Sequence, residues 1–153
     1  MLKSKLTFEK KFLAKKAQVC SGDRTYIDFK INGISLAELI GDIGRNIGKF
    51  GWKTNVDFEL SELKELRESE KSRLENGLFS AYVCGECGDE GCGAIMFEKH
   101  QTEKIVEWKN FVWSDGYDNE EEIAETIDIK AIIFERTEYE SAMEELERII
   151  TEK

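Results

Sequence analysis

Three strand-like segments follow one another in the middle of the chain, with only short links between them. They cover residues 78–84, 93–99 and 104–113. Links this short favour antiparallel hairpins. This feature constrains the fold most strongly, because it predicts an antiparallel sheet at the centre of the molecule, with a hairpin turn between the first two segments.

The remaining elements are assigned from the spacing of apolar residues. Residues 25–31 alternate between an apolar face and a polar face that carries Asp28, as a half-buried strand does. The other predicted elements are a helix from a Ser35 N-cap through Ile43, a surface helix over 61–77 with a Ser61 N-cap, a short buried strand over 131–134 and a helix that opens with Thr137 and Glu140. Strands in the middle with helices at the flanks are typical of an α+β fold.

No repeat or low-complexity linker divides the chain, so residues 1–153 are predicted to form one domain. Its expected architecture is an antiparallel sheet with flanking helices and a cysteine-containing hairpin turn. The central aromatic residues Trp108 and Phe111 are predicted to pack in the core. The chain's single histidine, His100, is expected at the surface.

The formal net charge of −10 is unevenly distributed. Residues 1–16 form a basic N-terminal segment with six lysines and one glutamate, so the remainder is strongly acidic. This balance disfavours nucleic acid or an anionic membrane as a partner. Lysines interrupt the start of the chain, and no long apolar run is present, so we expect neither a secretory signal nor a membrane span. Together with the four cysteines, this predicts a cytoplasmic, reducing setting.

The sequence "AYVCGECGDEGCGAI", residues 81–95, contains the predicted hairpin turn. Cys84 and Cys87 have the C-x-x-C-G form of one half of a zinc knuckle, in which glycine lets backbone amides turn toward the thiolates. Cys92 supplies a third thiol. The missing fourth ligand is predicted to be Cys20, from the loop before the first well-defined strand, or Asp89.

His100 is a poor candidate for that fourth ligand. It lies eight residues beyond Cys92. Along an extended strand this separation is roughly 26 Å. His100 is therefore expected at the other end of the hairpin.

Three interpretations of the cysteine turn remain open: a purely structural turn, a metal site, and a redox or catalytic thiol. Glu86, Asp89 and Glu90 surround the thiols in the sequence. Like charges raise thiol pKa values, which disfavours a nucleophilic cysteine, whereas the same carboxylates would favour a cation. If a cofactor is bound, the expected one is zinc.

The segment "LFSAYVCGECGDEGCGAI", followed by "IVEWKNFVW", resembles an uncharacterised family of small bacterial proteins. Its pattern is a C-x-x-C-G-D-x-x-C-G-A strand pair followed by a V-x-W-x-x-F strand. The resemblance covers roughly residues 26–146 and implies no established activity. The residues that match the pattern are Cys84, Cys87, Gly88, Asp89, Cys92, Gly93, Trp108 and Phe111.

Residues 114–128 form a predicted acidic loop without a basic residue. Such a segment is a solvated loop or a docking edge for a basic protein. An inhibitor of a basic toxin domain, such as a nuclease, would gain association rate from an acidic patch. Tyr117 would be the aromatic anchor of that interface. The other predicted contacts are Asp115, Asp118, Glu120, Glu121, Glu122 and Glu125.

Three function classes follow. The first is a non-catalytic cytoplasmic binding protein, such as an immunity protein that neutralises a basic toxin domain. The second is a small zinc-binding module that organises a protein-interaction surface. The third is a thiol-dependent enzyme, which the acidic cysteine turn and the lack of a catalytic pair around His100 disfavour.

Overall fold

A computed structural model describes residues 3–15, 22–114 and 125–152 of the 153-residue chain. The strands within these ranges are β1 (Leu6–Leu13), β2 (Arg24–Ile31), β3 (Ile34–Ser35), β4 (Asn46–Gly48), β5 (Phe79–Cys84), β6 (Ala94–Gln101), β7 (Ile105–Ser114), β8 (Glu125–Thr126) and β9 (Ile132–Glu135). The helices are α1 (Leu36–Ile40), α2 (Val56–Glu68) and α3 (Arg136–Thr151), with a 3-10 turn at Glu90–Cys92.

The described strands form two antiparallel sheets. The smaller sheet has the order β1-β2-β3, and the larger has the order β4-β5-β6-β7-β8, with β9 also paired to β7. A bridge between Ile27 and Phe50 and a hydrogen bond from Ser4 N to Ile133 O join the two sheets. Helix α3 packs against α2 and against β1, β7 and β9. The predicted α+β class with antiparallel strands and flanking helices is confirmed, with the strands divided between two sheets.

The core is built around the indole of Trp108, which is fully buried. Phe97 stacks on it at a centroid distance of 4.4 Å, while Phe29 and Phe134 meet it edge-on at 5.8 and 5.2 Å. Tyr139 of α3 meets the same indole at 6.2 Å. Aromatic pairs in these geometries contribute about 0.5–1.5 kcal/mol each beyond their buried area. The predicted core position of Trp108 is confirmed, and its neighbours come from both sheets and from α3, so one core serves one domain.

The central hairpin has the predicted arrangement. Strands β5 and β6 are antiparallel, with Phe79 opposite Phe97. Cys84 ends β5 at the turn, whereas His100 lies near the far end of β6. His100 is exposed, as predicted, and its Nδ1 lies 3.1 Å from a carboxylate oxygen of Glu70.

Strand β1 falls within the segment predicted only as a basic N-terminus. It pairs with β2 along its whole length, from Leu6 opposite Ile31 onward. Lys10 and Lys11 interrupt the alternation that would have revealed the strand. Their ammonium groups reach Glu152 at 2.8 Å and Asp28 at 3.7 Å. Long lysine stems can lie along a strand while their charges reach partners at its margin, so a lysine-rich sequence is compatible with this position.

Asp28 was expected on an exposed polar face of β2, and that expectation is wrong. The residue is 3% exposed. Its carboxylate accepts hydrogen bonds from the Tyr82 hydroxyl and from the Ser35 hydroxyl, each at 2.5 Å. A buried carboxylate is tolerated only with such partners. Both faces of β2 are therefore covered at this point.

The helix predicted over 61–77 is displaced. Helix α2 begins at Val56, behind an Asn55 side chain that accepts a hydrogen bond from Phe58 N at 3.1 Å. Ser61 is inside the helix rather than at its cap, and its hydroxyl donates to Phe58 O. The helix ends before Ser69, and the chain then turns back, since Arg73 N donates to the Glu65 carboxylate of α2 and the Ser72 hydroxyl donates to Leu78 O.

The other two helices differ less from expectation. The Ser35 cap of α1 is confirmed, since its hydroxyl accepts from Ala37 N, but the helix ends at Ile40. Helix α3 begins at Arg136, and Thr137 donates to the Glu135 carboxylate instead of capping the helix. None of the described helices combines the length and the apolar character that crossing a bilayer requires.

Gly48 lets β4 approach β2 closely. A Cβ atom at this position would lie 2.1 Å from the carbonyl oxygen of Ile27. No other residue fits such a contact, and glycine is the usual choice where two backbones meet. This contact places the start of β2 beside the turn that follows β5.

Candidate metal centre

Three thiols converge at the turn between β5 and β6. The Sγ atoms of Cys84, Cys87 and Cys92 all lie within 4.8 Å of one another, and those of Cys87 and Cys92 are 3.1 Å apart. Cys84 is half-buried, whereas the other two are exposed. The 3.1 Å separation is well beyond the about 2.05 Å of a disulfide bond, so these are free thiols.

Local backbone bonds bring the thiols together. Gly88 N donates to Cys84 O at 2.8 Å and closes the first turn. Gly88 has a φ of +70°, which favours glycine, and a Cβ there would lie 3.3 Å from the Trp52 ring. The Asp89 carboxylate then caps the 3-10 turn by accepting from Gly91 N at 3.0 Å. This second turn returns Cys92 toward the first two cysteines.

Arg24, the first residue of β2, lies against the turn. Its Nε donates to Gly85 O and its Nη2 to Glu86 O, each at 3.2 Å. The guanidinium sits over the Trp52 ring at 5.3 Å from the centroid, within the range of a cation–π contact. Trp52 is itself held by a hydrogen bond from its Nε1 to Gly48 O at 2.8 Å. The turn is thus fixed by a residue from the other sheet.

Glu90 anchors the second half of the turn. It is 5% exposed, and its carboxylate accepts from Arg73 at 3.0 Å and from the Ser80 hydroxyl at 2.9 Å. Lys49 lies 3.8 Å away, and Arg73 also bonds Glu62 of α2 at 2.7 Å. Burial raises the pKa of Glu90, but the charges of Lys49 and Arg73 outweigh it, so the pKa lies below its usual value. This carboxylate is ionised and turned into the protein.

The acidic neighbours predicted raised pKa values for the thiols, but one value is lowered and one is raised, and burial and local hydrogen bonds cause both shifts. Burial raises the pKa of Cys84, but hydrogen bonds from the N–H groups of Cys87 and Glu86 and from the neighbouring thiols outweigh it, and the net pKa is lowered. Burial, followed by the hydrogen bond with Cys92, raises the pKa of Cys87 to about 11. Metal binding would have to displace these protons, because the thiolate is the metal ligand.

Among the described residues, the cluster consists of the three cysteines and does not include Asp89. Cys20 lies outside the described ranges. Asp89 is described, but its carboxylate serves as the cap of the 3-10 turn. To bind a metal, Asp89 would have to give up that bond. His100 is bonded to Glu70 at the opposite end of β6.

The predicted partner-binding residues are mostly outside the described ranges. Of these, only Glu125 is described, and it lies in β8, exposed and opposite Trp113. The others, Asp115, Tyr117, Asp118, Glu120, Glu121 and Glu122, fall within 115–124. The acidic docking edge therefore stays a prediction.

Sequence reasoning missed the residues that support the turn. Arg24 and Arg73 are distant from the cysteines in sequence and carry no motif. Trp52 is likewise distant from the cysteines in sequence, and it is partly exposed. The C-x-x-C-G pattern predicts a turn, but no local signal identifies the side chains that hold it.

No protein-family model matches the chain, and neither a curated protein nor a solved structure is significantly similar to it. Function must therefore be argued from the site. Four thiolates around zinc, at about 2.3 Å each, would be about 3.8 Å from one another in a tetrahedron. The observed cluster, within 4.8 Å, is close enough to hold a metal ion after small side-chain adjustments.

Proposed function

We propose that this protein is a small zinc-binding protein whose ligands include the thiolates of Cys84, Cys87 and Cys92. The observation that carries the proposal is the convergence of three Sγ atoms within 4.8 Å on a turn held from outside by Arg24 and Glu90. Three cysteines that only build a turn would not need their sulfur atoms to converge.

Thiolates favour zinc among the common metals of a reducing compartment. Soft sulfur ligands select zinc, copper(I) or iron–sulfur clusters, whereas magnesium and calcium prefer oxygen. A C-x-x-C-G turn with a third cysteine is typical of structural zinc sites. A cytoplasmic setting, which the sequence predicts, would keep the thiols reduced and available.

Zinc completes its tetrahedron with a fourth ligand, and Cys20 is our first candidate. It precedes β2, the strand whose first residue, Arg24, contacts the turn. A fourth thiolate would therefore come from the chain segment next to the site. Asp89 is the alternative, at the cost of its bond to Gly91 N.

Metal analysis of the purified, reduced protein tests this function. We expect one zinc per chain, together with protection of at least three thiols from alkylation. Cys87→Ser should lose the zinc, whereas Glu86→Gln, which changes a neighbouring exposed side chain, should retain it. Cys20→Ser distinguishes the two candidate fourth ligands. The zinc affinity should fall sharply if Cys20 is a ligand and should not change if Asp89 is the ligand instead. Protein that contains no metal and takes up none from micromolar zinc would contradict the proposal.

The zinc module would organise a surface for a protein partner, and the charge of the chain favours a basic one. Glu125 is exposed on β8, next to the acidic stretch of the sequence. An immunity-type inhibitor of a basic toxin domain remains the partner proposal that this charge supports. Replacing Glu120, Glu121 and Glu122 by lysine should then weaken binding to a basic partner, and an unchanged affinity would reject that surface.

A further inference from the structure

Two peptide groups of the C-x-x-C turn direct their carbonyl oxygens toward Arg24. The described peptides are trans, so the C=O and N–H of one peptide group point in opposite directions. Arg24 binds the carbonyls of Gly85 and Glu86. The N–H groups of those same peptides belong to Glu86 and Cys87, so they point away from Arg24, and both amides lower the pKa of the Cys84 thiol.

We propose that Arg24 is a positioning residue of the metal site, which orients these two amides toward the Cys84 thiolate and offsets the negative charge of the thiolate cluster. This inference rests on the proposed zinc site. Zinc with three thiolates carries a net charge of −1, and a fourth thiolate would add another. A guanidinium on the outer side of the turn stabilises that charge.

The bonding of Arg24 suits this role. Within the described residues, its hydrogen bonds all end on backbone carbonyls, those of Gly85, Glu86 and Asp23. Its planar fork reaches two carbonyls at once, which a lysine ammonium on a flexible stem does not reproduce.

Trp52 fixes the position of the guanidinium. Its backbone N–H donates to the Glu59 carboxylate of α2 at 3.1 Å, and its ring contacts both Arg24 and Gly88. The orientation of the turn therefore depends on side chains from β2 and α2, in addition to the local glycines. Groups that orient metal ligands from outside the ligand shell change metal affinity by about 10- to 100-fold when they are removed.

Zinc affinity, measured by competition with a chromophoric chelator on folded and reduced protein, tests the inference. We expect Arg24→Gln to weaken zinc binding by about 10- to 100-fold. Arg24→Lys keeps the charge but loses the planar fork, so its zinc affinity should lie between those of Arg24→Gln and the wild type. Arg148→Gln is the matched control, because Arg148 is an exposed arginine paired with Glu145 on α3, and its affinity should not change.

A second readout does not depend on metal. In the metal-free protein, the amides of Glu86 and Cys87 should exchange with solvent faster in Arg24→Gln than in the wild type, while amides in the core strands keep their rates. If Arg24→Gln does not fold, the exchange rates of these amides are compared between the wild type, Arg24→Lys and Trp52→Phe.

The outcomes separate the two proposals. Wild-type affinity together with wild-type exchange in the Arg24 variants would overturn the positioning role. A wild-type protein that binds no zinc would reject the proposed function, and the exchange of the Glu86 and Cys87 amides would then decide alone whether Arg24 orients the turn.

Discussion

The two ends of the β5–β6 hairpin hold their polar groups in different ways. At the far end, Lys99 is 2% exposed, and its ammonium donates to the carbonyls of Glu65 and Leu66 at the end of α2. Tyr139 donates to the same Leu66 carbonyl at 2.7 Å. At the turn, Cys87 and Cys92 are exposed and have each other as neighbours.

This difference separates a structural role from a binding role. The Lys99 ammonium satisfies carbonyl groups at the C-terminus of α2, and it lies 4.9 Å from the centre of the Phe79 ring. The N–H groups of the ammonium donate to backbone carbonyls inside the protein. Cys87 and Cys92 are exposed, while the buried charges nearby support the backbone that carries them. We infer that the far end stabilises the fold and that the turn presents ligand atoms.

The largest effect is expected from removing the buried support of the turn. Arg73→Met would leave Lys49 as the one cationic partner of the Glu62 and Glu90 carboxylates among the described residues. Because an uncompensated buried charge is costly, we expect a loss of about 3 kcal/mol in the free energy of unfolding. Urea denaturation measures it. Arg148→Met removes an exposed pair and should leave the free energy of unfolding close to that of the wild type. Equal small losses in both variants would show that Glu90 does not anchor the turn.

The contribution of Lys99 to the free energy of unfolding is expected to depend on pH. Burial, and then the charge of Arg136, lower the pKa of Lys99 to about 8, although Glu140 and Glu70 act in the opposite direction. In the unfolded chain, the pKa of a lysine is about 10.4. Between these values the unfolded state binds more protons, so this group increases stability as the pH rises from about 8 to 10.4.

The wild type should therefore gain about 2–3 kcal/mol relative to Lys99→Met across that pH window. Urea denaturation at several pH values gives the difference curve. Lys64 is exposed on α2, so Lys64→Met should run parallel to the wild type. A flat difference between wild type and Lys99→Met would mean that the lysine is not desolvated as described.

A smaller effect is expected at the glycine of the C-x-x-C-G turn. Gly88→Ala places a Cβ at positive φ, 3.3 Å from the Trp52 ring, so it should destabilise the protein by about 1–2 kcal/mol. Gly91, in the 3-10 turn that follows, is the matched control. Its φ is not in the left-handed region, and an added Cβ would meet Asp89 only at 3.6 Å. In thermal unfolding, the Tm of Gly91→Ala should therefore be close to that of the wild type, and the Tm of Gly88→Ala should be lower. A lower Tm for Gly91→Ala than for Gly88→Ala would contradict the described turn.

Sequence patterns predicted the parts of the fold that depend on local periodicity. The hairpin of β5 and β6, the strand β7 and the apolar face of α3 all follow from alternation or helical spacing. Strand β1 was missed because lysines interrupt its pattern, and α2 was displaced because its apolar face is thin. The burial of Asp28 could not be predicted, since it depends on Tyr82 and Ser35 from other elements.

The candidate site was predicted to a similar extent. The spacing of Cys84, Cys87 and Cys92 predicted that three thiols converge, because the spacing of residues in a turn is a local property. Arg24 and Glu90 form their contacts only after β2, β5 and α2 have packed together. Such long-range contacts leave no periodic signal in the sequence. The acidic residues of the motif suggested that Glu90 lies around the thiols, whereas its carboxylate is buried against Arg73 and Ser80.

X-ray absorption at the zinc edge tests the central claim most directly. The reduced protein, loaded with one equivalent of zinc, should give a first shell of three or four sulfur atoms at about 2.3 Å. Cys87→Ser should lose one sulfur from that shell or lose the metal altogether. A shell of only nitrogen and oxygen ligands, or sulfur scattering that is unchanged in Cys87→Ser, would contradict the assignment of this turn as a thiolate zinc site.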